Sequence, residues 1–180
     1  MSQREHVLLV LGGTRSGKSR YAVETAMCAA GENVSYLATA RTGDPELDAR
    51  IEAHRRERPA SWPTHDVGLD LAAALRGPSS DRCLLVDSLT LWVASLLEAG
   101  EAVAARWSNA AAAIENRPGR VILVSDEVGL GIVPDTSVGR RFRDELGWLN
   151  QQVAARADTV VLLVAGVPIP LRTVRSWEAR

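Results

Sequence analysis

The stretch Gly12-Gly13-Thr14-Arg15-Ser16-Gly17-Lys18-Ser19 decides the fold, because it fits the pattern G-x-x-x-x-G-K-[ST]. An apolar run over residues 7–11 precedes it and a stretch of helical character follows it, which is the context that a P-loop requires. Gly12 and Gly17 can adopt the dihedral angles that turn backbone N–H groups inward, and such a nest at a helix N-terminus binds phosphate. We expect Lys18 to reach the β- and γ-phosphates and Ser19 to ligate Mg²⁺. The alternative, a glycine-rich turn without a ligand, leaves the coincidence of glycines, Lys and Ser unexplained.

The composition bounds the class of protein. The chain has 180 residues, of which 46% are hydrophobic and 24% are charged, and this suits one compact domain over residues 1–180 with a sizeable core. The formal net charge of -1 provides no basic field that would collect nucleic acid. No apolar stretch approaches the roughly 18 residues that a membrane helix needs, and residues 1–6 with the short apolar run behind them do not resemble a signal peptide. We therefore expect a cytoplasmic protein with no membrane span and no nucleic-acid partner.

The two cysteines do not indicate a disulfide framework. Cys28 falls in a predicted helix and Cys83 enters a predicted strand. Two cysteines so placed indicate reduced, buried thiols rather than a disulfide or a metal site.

Short β-branched and Leu-rich runs alternate with longer helical stretches, and this rhythm predicts an α/β fold with a mostly parallel sheet flanked by helices. Strands are predicted over residues 7–11, 34–39, 83–87, 121–125 and 159–165, and the proline-broken run 167–171 is expected at a sheet edge. Helices are predicted over residues 17–30, 45–58, 69–75, 89–98, 102–114 and 136–157. In the last of these helices the spacing predicts that five residues face the core, namely Val138, Phe142, Leu146, Leu149 and Val153.

A histidine on the predicted helix 45–58 is a candidate nucleophile. Arg50, His54 and Arg58 fall at i, i+4 and i+8 and therefore share one helix face. Neighbouring guanidinium groups lower the pKa of an imidazole, which keeps a nitrogen lone pair available, and they also bind phosphate oxygens. These conditions suit a nucleophile for phosphorus. On these residues alone, a half-exposed histidine on a solvated basic helix remains the alternative.

Two predicted strands end in acids. Asp87 ends the apolar run 83–86, and this is the Walker B pattern, in which a strand delivers a carboxylate beside Mg²⁺. The alternative role for Asp87 is the N-cap of the next helix. Asp126 and Glu127 follow another predicted strand and precede the glycines of residues 128–134, where open α/β sheets bind ligands. This segment is either a substrate loop or a plain connection with an acidic cap.

Three arginines gather early in the predicted helix 136–157, at positions 140, 141 and 143. They form either a solvated face or an anion and interface patch. The residues alone do not decide between these two interpretations.

Several separate segments resemble, in order, the bifunctional adenosylcobinamide kinase/adenosylcobinamide-phosphate guanylyltransferases of cobalamin biosynthesis. The likeness spans nearly the whole chain. P-loops are common to many enzymes, whereas the blocks R-I-x-x-H-x-x-x-R-P and E-V-G-x-G-I-V-P are specific. The matching blocks are G-G-T-R-S-G-K-S at 12–19, A-R-I-E-A-H-R-R-E-R-P at 49–59, L-V-D-S-L-T at 85–90, E-V-G-L-G-I-V-P at 127–134, and R-F-R-D at 141–144 with Gly147 and Asn150-Gln151.

The resemblance implies two reactions. A nucleoside triphosphate, ATP or GTP, phosphorylates the hydroxyl of the aminopropanol arm of adenosylcobinamide. GTP then transfers GMP through an enzyme histidine to adenosylcobinamide phosphate, giving adenosylcobinamide-GDP and pyrophosphate. A RecA-like sheet and association into trimers are implied in the same way.

The resemblance also assigns residues. The guanylylated histidine matches His54, and Lys18 is the second catalytic residue. Ser19 and Asp87 match the positions at Mg²⁺. The nucleotide-binding positions are Gly12, Gly13, Thr14, Arg15, Ser16, Gly17, Lys18, Ser19, Ala38, Thr39, Ala40, Arg55, Arg56, Glu57, Arg58, Asp66 and Asp87.

Two other functions are compatible with a P-loop. In a small-molecule kinase without a covalent intermediate, His54 would be structural. A nucleotide switch or binding module is the other, although the guanine-reading N-K-x-D motif of regulatory GTPases is absent from the sequence.

Overall fold

A computed structural model describes residues 6–40 and 58–172 of the chain. Strands and helices alternate in it, as the alternation of apolar runs and helical stretches predicts. The strands are β1 (Val7–Gly12), β2 (Val34–Ala38), β3 (Thr64–Asp66), β4 (Cys83–Asp87), β5 (Val121–Asp126), β6 (Thr159–Val164) and β7 (Val167–Arg172). The helices are α1 (Lys18–Ala30), α2 (Leu71–Arg76), α3 (Leu89–Glu98), α4 (Val103–Glu115) and α5 (Ser137–Arg156).

The seven strands form one sheet in the order β3-β2-β4-β5-β1-β6-β7. Every neighbouring pair is parallel except β6 with β7, which is antiparallel. The predicted α/β class and mostly parallel sheet are therefore confirmed, and so is the edge position of the proline-broken strand. β5 lies between β1 and β4. It is therefore a direct neighbour of β1, the strand that leads into the P-loop.

The core lies on both faces of the sheet, since successive side chains of a strand point to opposite faces. Leu9 of β1 joins a cluster with residues of α2, α3, α4 and α5. Val10 joins a second cluster that includes Ala22 and Ala26 of α1. Both strand residues are fully buried, and each such side chain contributes about 1.5–3 kcal/mol to stability.

The sequence missed one strand. β3 consists of three exposed polar residues, Thr64, His65 and Asp66, and pairs in parallel with β2. No apolar pattern marks it, because its pairing comes from the neighbouring strand rather than from burial of its own side chains. The predicted helix 45–58 lies outside the described residues, apart from Arg58. Among the residues that the structure describes, no helix is long and apolar enough to cross a bilayer.

Two burial predictions were wrong. Cys28 is exposed, because α1 turns Ala22 and Ala26 to the sheet and Cys28 lies two residues further round the helix. Val138 is also exposed, since the buried positions of α5 begin at Leu146 and the first turn has no core against it. Cys83 is buried as expected, and burial raises the pKa of its thiol to about 11.

One buried guanidinium holds the loops at the start of β4 and β5. Arg117 is 7% exposed. Its Nη1 donates to the carbonyl of Leu75 at 2.5 Å, and its Nη2 donates to the carbonyls of Ser79 and Arg82 at 3.0 Å each. Leu75 lies in the last turn of α2, where carbonyls lack partners within the helix. Burial lowers the pKa of Arg117, but a guanidinium stays charged in proteins.

We expect Arg117→Lys to lower the free energy of unfolding by about 2–4 kcal/mol, because one ammonium nitrogen cannot occupy the positions of both Nη1 and Nη2 and leaves buried carbonyls unpaired. Urea denaturation at neutral pH measures the change. The matched control is Arg156→Lys, whose side chain is 44% exposed and whose cost should stay within about 0.5 kcal/mol. Equal costs for the two variants would contradict the role of Arg117.

Candidate functional site

The P-loop connects β1 to α1 and depends on two glycines. Gly17 is the N-cap of α1 with φ of 91°, a left-handed conformation that favours glycine. Gly12 is required for another reason, because a Cβ there would collide with Ser16 Oγ and lie 3.0 Å from the carbonyl of Leu163. Gly166 donates its N–H to the carbonyl of Ser16 at 2.9 Å. Gly17 has no side chain that could accept from the N–H groups in the first turn of α1. Those N–H groups therefore remain available to bind an anion.

Lys18 pairs with a carboxylate on the neighbouring strand. Its Nζ lies 2.6 Å from Asp126 Oδ1 and donates to the carbonyl of Gly13 at 3.2 Å. The side chains of Lys18 and Asp126 are 13% and 19% exposed, so the pair is only partly solvated. Asp126 pairs in register with Gly12 across β5 and β1. The ammonium group of Lys18 is therefore paired with a carboxylate of the same chain.

The backbone of Asp126 is fixed from two further elements. Its N–H donates to Thr90 Oγ1 of α3 at 2.8 Å, and its carbonyl accepts from Asn150 Nδ2 of α5 at 3.0 Å. Asp126 was not among the predicted site residues. Its signal was an acid at the end of a strand, but the sequence did not say that this strand lies next to the P-loop strand.

Asp87 lies at the carboxyl end of β4, two strands away from β1, which is about 10 Å at ordinary strand spacing. Its Oδ2 accepts from the hydroxyl of Tyr36 at 3.0 Å. Burial, and then the charge of Asp87, raise the pKa of the Tyr36 phenol well above its ordinary value, so the phenol remains a donor. The N-cap of α3 is Ser88, whose Oγ accepts from the N–H of Leu91. The capping alternative for Asp87 was therefore wrong.

Arg58 packs on the tyrosine that bonds Asp87. The guanidinium of Arg58 lies 3.6 Å from the centroid of the Tyr36 ring, a cation–π contact, and it donates to Thr64 Oγ1 at 3.0 Å. Sequence analysis did not single out Tyr36. A strand whose residues are nearly all buried gives no sign that one of its side chains bonds an acid on the neighbouring strand of the sheet.

The structure brings the other predicted positions to the same edge of the sheet. Ala38 ends β2 and pairs in register with Asp66 on one side and Asp87 on the other. The Oγ1 of Thr39 donates to the carbonyl of Ser88 and accepts from its N–H, each at 2.7 Å. His54, Arg55, Arg56 and Glu57 lie outside the described residues, and their roles stay predictions.

Magnesium would be held at this edge together with nucleotide. Within residues 6–40 and 58–172, no group of three or more His, Cys, Asp or Glu side chains could hold a metal alone. Mg²⁺ usually takes one or two carboxylates and completes its shell with water and substrate phosphates. Ser19, in the first turn of α1, and the Asp87 carboxylate supply oxygens of the kind that the ion prefers.

Two of the three arginines near the start of α5 have different partners. Arg140 donates Nη1 to the carbonyls of Pro134 at 3.0 Å and Asp135 at 2.8 Å. Arg143 pairs with Asp144 at 3.0 Å. Arg140 therefore binds the preceding loop, and Arg143 pairs within its own helix.

Comparison with known proteins gives consistent results. Residues 8–171 match the family described as "Cobinamide kinase / cobinamide phosphate guanyltransferase". The "Bifunctional adenosylcobalamin biosynthesis protein CobP" of Pseudomonas aeruginosa is 48% identical over 167 residues, which cover 91% of this chain and 96% of that protein. The corresponding CobU of Salmonella typhimurium is 37% identical over 182 residues, covering 92% and 99%. These matches confirm the predicted resemblance and its enzyme class.

A solved structure supports the fold. The flagellar accessory protein FlaH from Methanocaldococcus jannaschii has a TM-score of 0.55 at 10% identity, with 94% of this chain and 80% of that chain covered. At this identity the likeness shows the fold alone, and it agrees with the predicted α/β class with a mostly parallel sheet.

We expect Lys18→Ala to weaken triphosphate binding and to lower turnover by roughly 100-fold or more, because it removes the cation inside the phosphate nest. Asp126→Asn is the matched variant. It frees Lys18 and removes a like charge, so it should bind triphosphate several-fold more tightly without Mg²⁺. Titration of a fluorescent GTP analogue in EDTA measures triphosphate binding by both variants, and the turnover of Lys18→Ala is measured with Mg²⁺ present. Unchanged binding by a folded Lys18→Ala protein would contradict the P-loop assignment.

We expect Asp87→Asn to lower Mg²⁺-dependent turnover by at least about tenfold while barely changing the melting temperature, because the carboxylate is needed for metal charge rather than for packing. Tyr36→Phe removes only the hydroxyl that holds Asp87 and should have a smaller effect in the same direction. The measurements are the Mg²⁺ concentration at half-maximal rate and the melting temperature. An Asp87→Asn protein that keeps its rate but melts earlier would make the residue structural.

Proposed function

This chain belongs to the cobinamide kinase and cobinamide phosphate guanyltransferase family, and we propose that it catalyses both reactions with one P-loop domain over residues 1–180. In the first, ATP or GTP phosphorylates adenosylcobinamide on the hydroxyl of its aminopropanol arm. In the second, GTP and adenosylcobinamide phosphate give adenosylcobinamide-GDP and pyrophosphate. The observation that carries the proposal is Lys18, held beside Asp126 at an uncapped helix N-terminus, in a chain that matches the family from residue 8 to residue 171.

The first reaction uses the P-loop. The N–H groups of the loop and of the first turn of α1 bind the phosphates, and Lys18 exchanges Asp126 for oxygens of the β- and γ-phosphates. The substrate hydroxyl attacks the γ-phosphorus, and the bond from that phosphorus to the bridging oxygen of the nucleoside diphosphate breaks. Mg²⁺, which Ser19 and Asp87 would hold, supplies neutralising charge at the phosphate oxygens.

The second reaction uses His54. A ring nitrogen attacks the α-phosphorus of GTP, forming a P–N bond as pyrophosphate leaves. The phosphate of adenosylcobinamide phosphate then attacks the same phosphorus, and the P–N bond breaks. Splitting the transfer gives each displacement a good leaving group and a positioned acceptor.

The position of Arg58 supports a nucleotide role for the segment that contains His54. Arg58 lies four positions after His54 in the sequence, and it contacts the tyrosine that bonds Asp87. The family resemblance implies that Arg55, Arg56, Glu57 and Arg58 bind the nucleotide, and Arg58 lies beside β2 and β3. Guanidinium groups suit this place, because they pair with phosphate oxygens in a fixed fork geometry.

We also propose the setting in which the enzyme works. It acts in the cytoplasm on adenosylcobinamide and its phosphate, without nucleic acid, as a homo-oligomer that we take to be the trimer implied by the family resemblance. The size of the particle, measured by sedimentation, tests the trimer.

We expect His54→Ala to abolish guanylyl transfer and protein labelling from [α-³²P]GTP while leaving phosphorylation of adenosylcobinamide largely intact. The kinase step uses the substrate hydroxyl as nucleophile, whereas the transfer step needs the enzyme's own. The label on wild-type protein should be lost in acid and kept in base, because protonation makes the imidazole a good leaving group.

His65→Ala is the control for this experiment, since His65 lies on exposed strand β3 and should keep its label. Labelling retained by His54→Ala and lost by His65→Ala would move the nucleophile to His65. Equal loss of both activities in His54→Ala would instead indicate that His54 positions substrate in both steps. A complete absence of label on wild-type protein would favour a P-loop kinase without a covalent intermediate.

A further inference from the structure

The loop that joins β5 to α5 carries apolar side chains that the described residues leave uncovered. Leu130 is 85% exposed, Ile132 is 98% exposed and Val133 is 61% exposed. Val138, in the first turn of α5, is 73% exposed. We call these four residues the apolar loop surface. Contiguous exposed apolar residues in a globular protein mark interaction sites.

The loop is anchored at both ends. Near β5, Val128 packs against the core and the Glu127 carboxylate accepts from the N–H of Gly129 at 2.7 Å. Near α5, Arg140 donates to the carbonyls of Pro134 and Asp135. A loop with both ends anchored has less conformational freedom to lose when a ligand binds to it.

The apolar loop surface adjoins the phosphate nest. The loop begins directly after Asp126, whose carboxylate contacts Lys18 at 2.6 Å. The N–H of Glu127 donates to the carbonyl of Gly12 at 3.1 Å. An acceptor whose hydroxyl reaches a phosphate at Lys18 must extend its remaining bulk over this edge of the sheet.

We propose that the apolar loop surface binds the corrin macrocycle of adenosylcobinamide. The inference rests on the proposed function, which requires an acceptor at the P-loop. The rim of a corrin carries methyl groups and neutral amide side chains, and its aminopropanol arm ends in the reacting hydroxyl. Four uncharged aliphatic side chains match the methyl groups, and the carbonyl of Gly129 and the peptide group at Gly131 offer hydrogen bonds to the amides.

A second exposed apolar strip does not share this setting. Val167, Ile169 and Leu171 are exposed on β7, the last strand of the sheet. The intervening prolines remove N–H donors, which is how edge strands avoid pairing with other chains. Leu171 lies near the start of β6, at the end of the sheet opposite the P-loop. It provides a matched control.

The test compares Leu130→Ser and Ile132→Ser with Leu171→Ser in the full-length chain. Equilibrium dialysis measures the Kd of adenosylcobinamide by its visible absorbance, titration measures the Kd of a GTP analogue, and sedimentation measures the oligomeric state. Each loop variant should weaken adenosylcobinamide binding about tenfold, the effect expected when a buried Leu or Ile side chain is lost. Binding of the GTP analogue, oligomeric state and the Leu171→Ser protein should change less than twofold.

Unchanged adenosylcobinamide binding in both loop variants would overturn the inference and leave the proposed function standing. Smaller particles from the loop variants alone would also overturn it, because the surface would then be an interface between copies of the chain. If wild-type protein does not bind adenosylcobinamide, the proposed function fails and the inference fails with it.

Discussion

The turn from β1 into α1 exists only because two positions carry no side chain. Gly17 has a positive φ that a Cβ would strain, and Gly12 lies too close to Ser16 and Leu163 to accept one. The chain can then reverse from a fully buried central strand into a helix whose first N–H groups face the end of the sheet. The phosphate nest, the position of Lys18 and the placement of β5 and β6 beside it all depend on this turn.

The charges at this edge are arranged in pairs that a triphosphate must rearrange. Lys18 is not an unpaired cation, because Asp126 contacts it. The two side chains are only partly solvated, so a phosphate must offer Lys18 more than a single carboxylate does. A triphosphate with several charges can do so, and a singly charged anion gains little. Asp87, by contrast, bonds a neutral phenol rather than a cation.

The sequence predicted the elements that short motifs and apolar periodicity determine. It missed the features that depend on which strands are neighbours in the sheet. The P-loop, most strands and the longer helices follow from short motifs and apolar periodicity. Polar β3 had no such signal, and the order of the strands cannot be deduced from the residues, so the closeness of Asp126 to Lys18 was not foreseen. Val138 has helical spacing but lies beyond the end of the core. His54 stays a prediction, because its segment lies outside the described residues.

The proposed reactions differ in which phosphorus is attacked, and the sheet separates the groups that would approach each one. The segment with His54 joins β2 to β3, and the apolar loop surface follows β5. In the sheet order these connections lie at different places along one edge, with β4 and its Asp87 between them. An acceptor bound at the apolar loop surface would therefore lie on the side of Asp87 that carries the P-loop. A guanylyl group held covalently by an enzyme histidine would separate the attack on the α-phosphorus of GTP from the attack by the acceptor, so that the two displacements need not occur from one position.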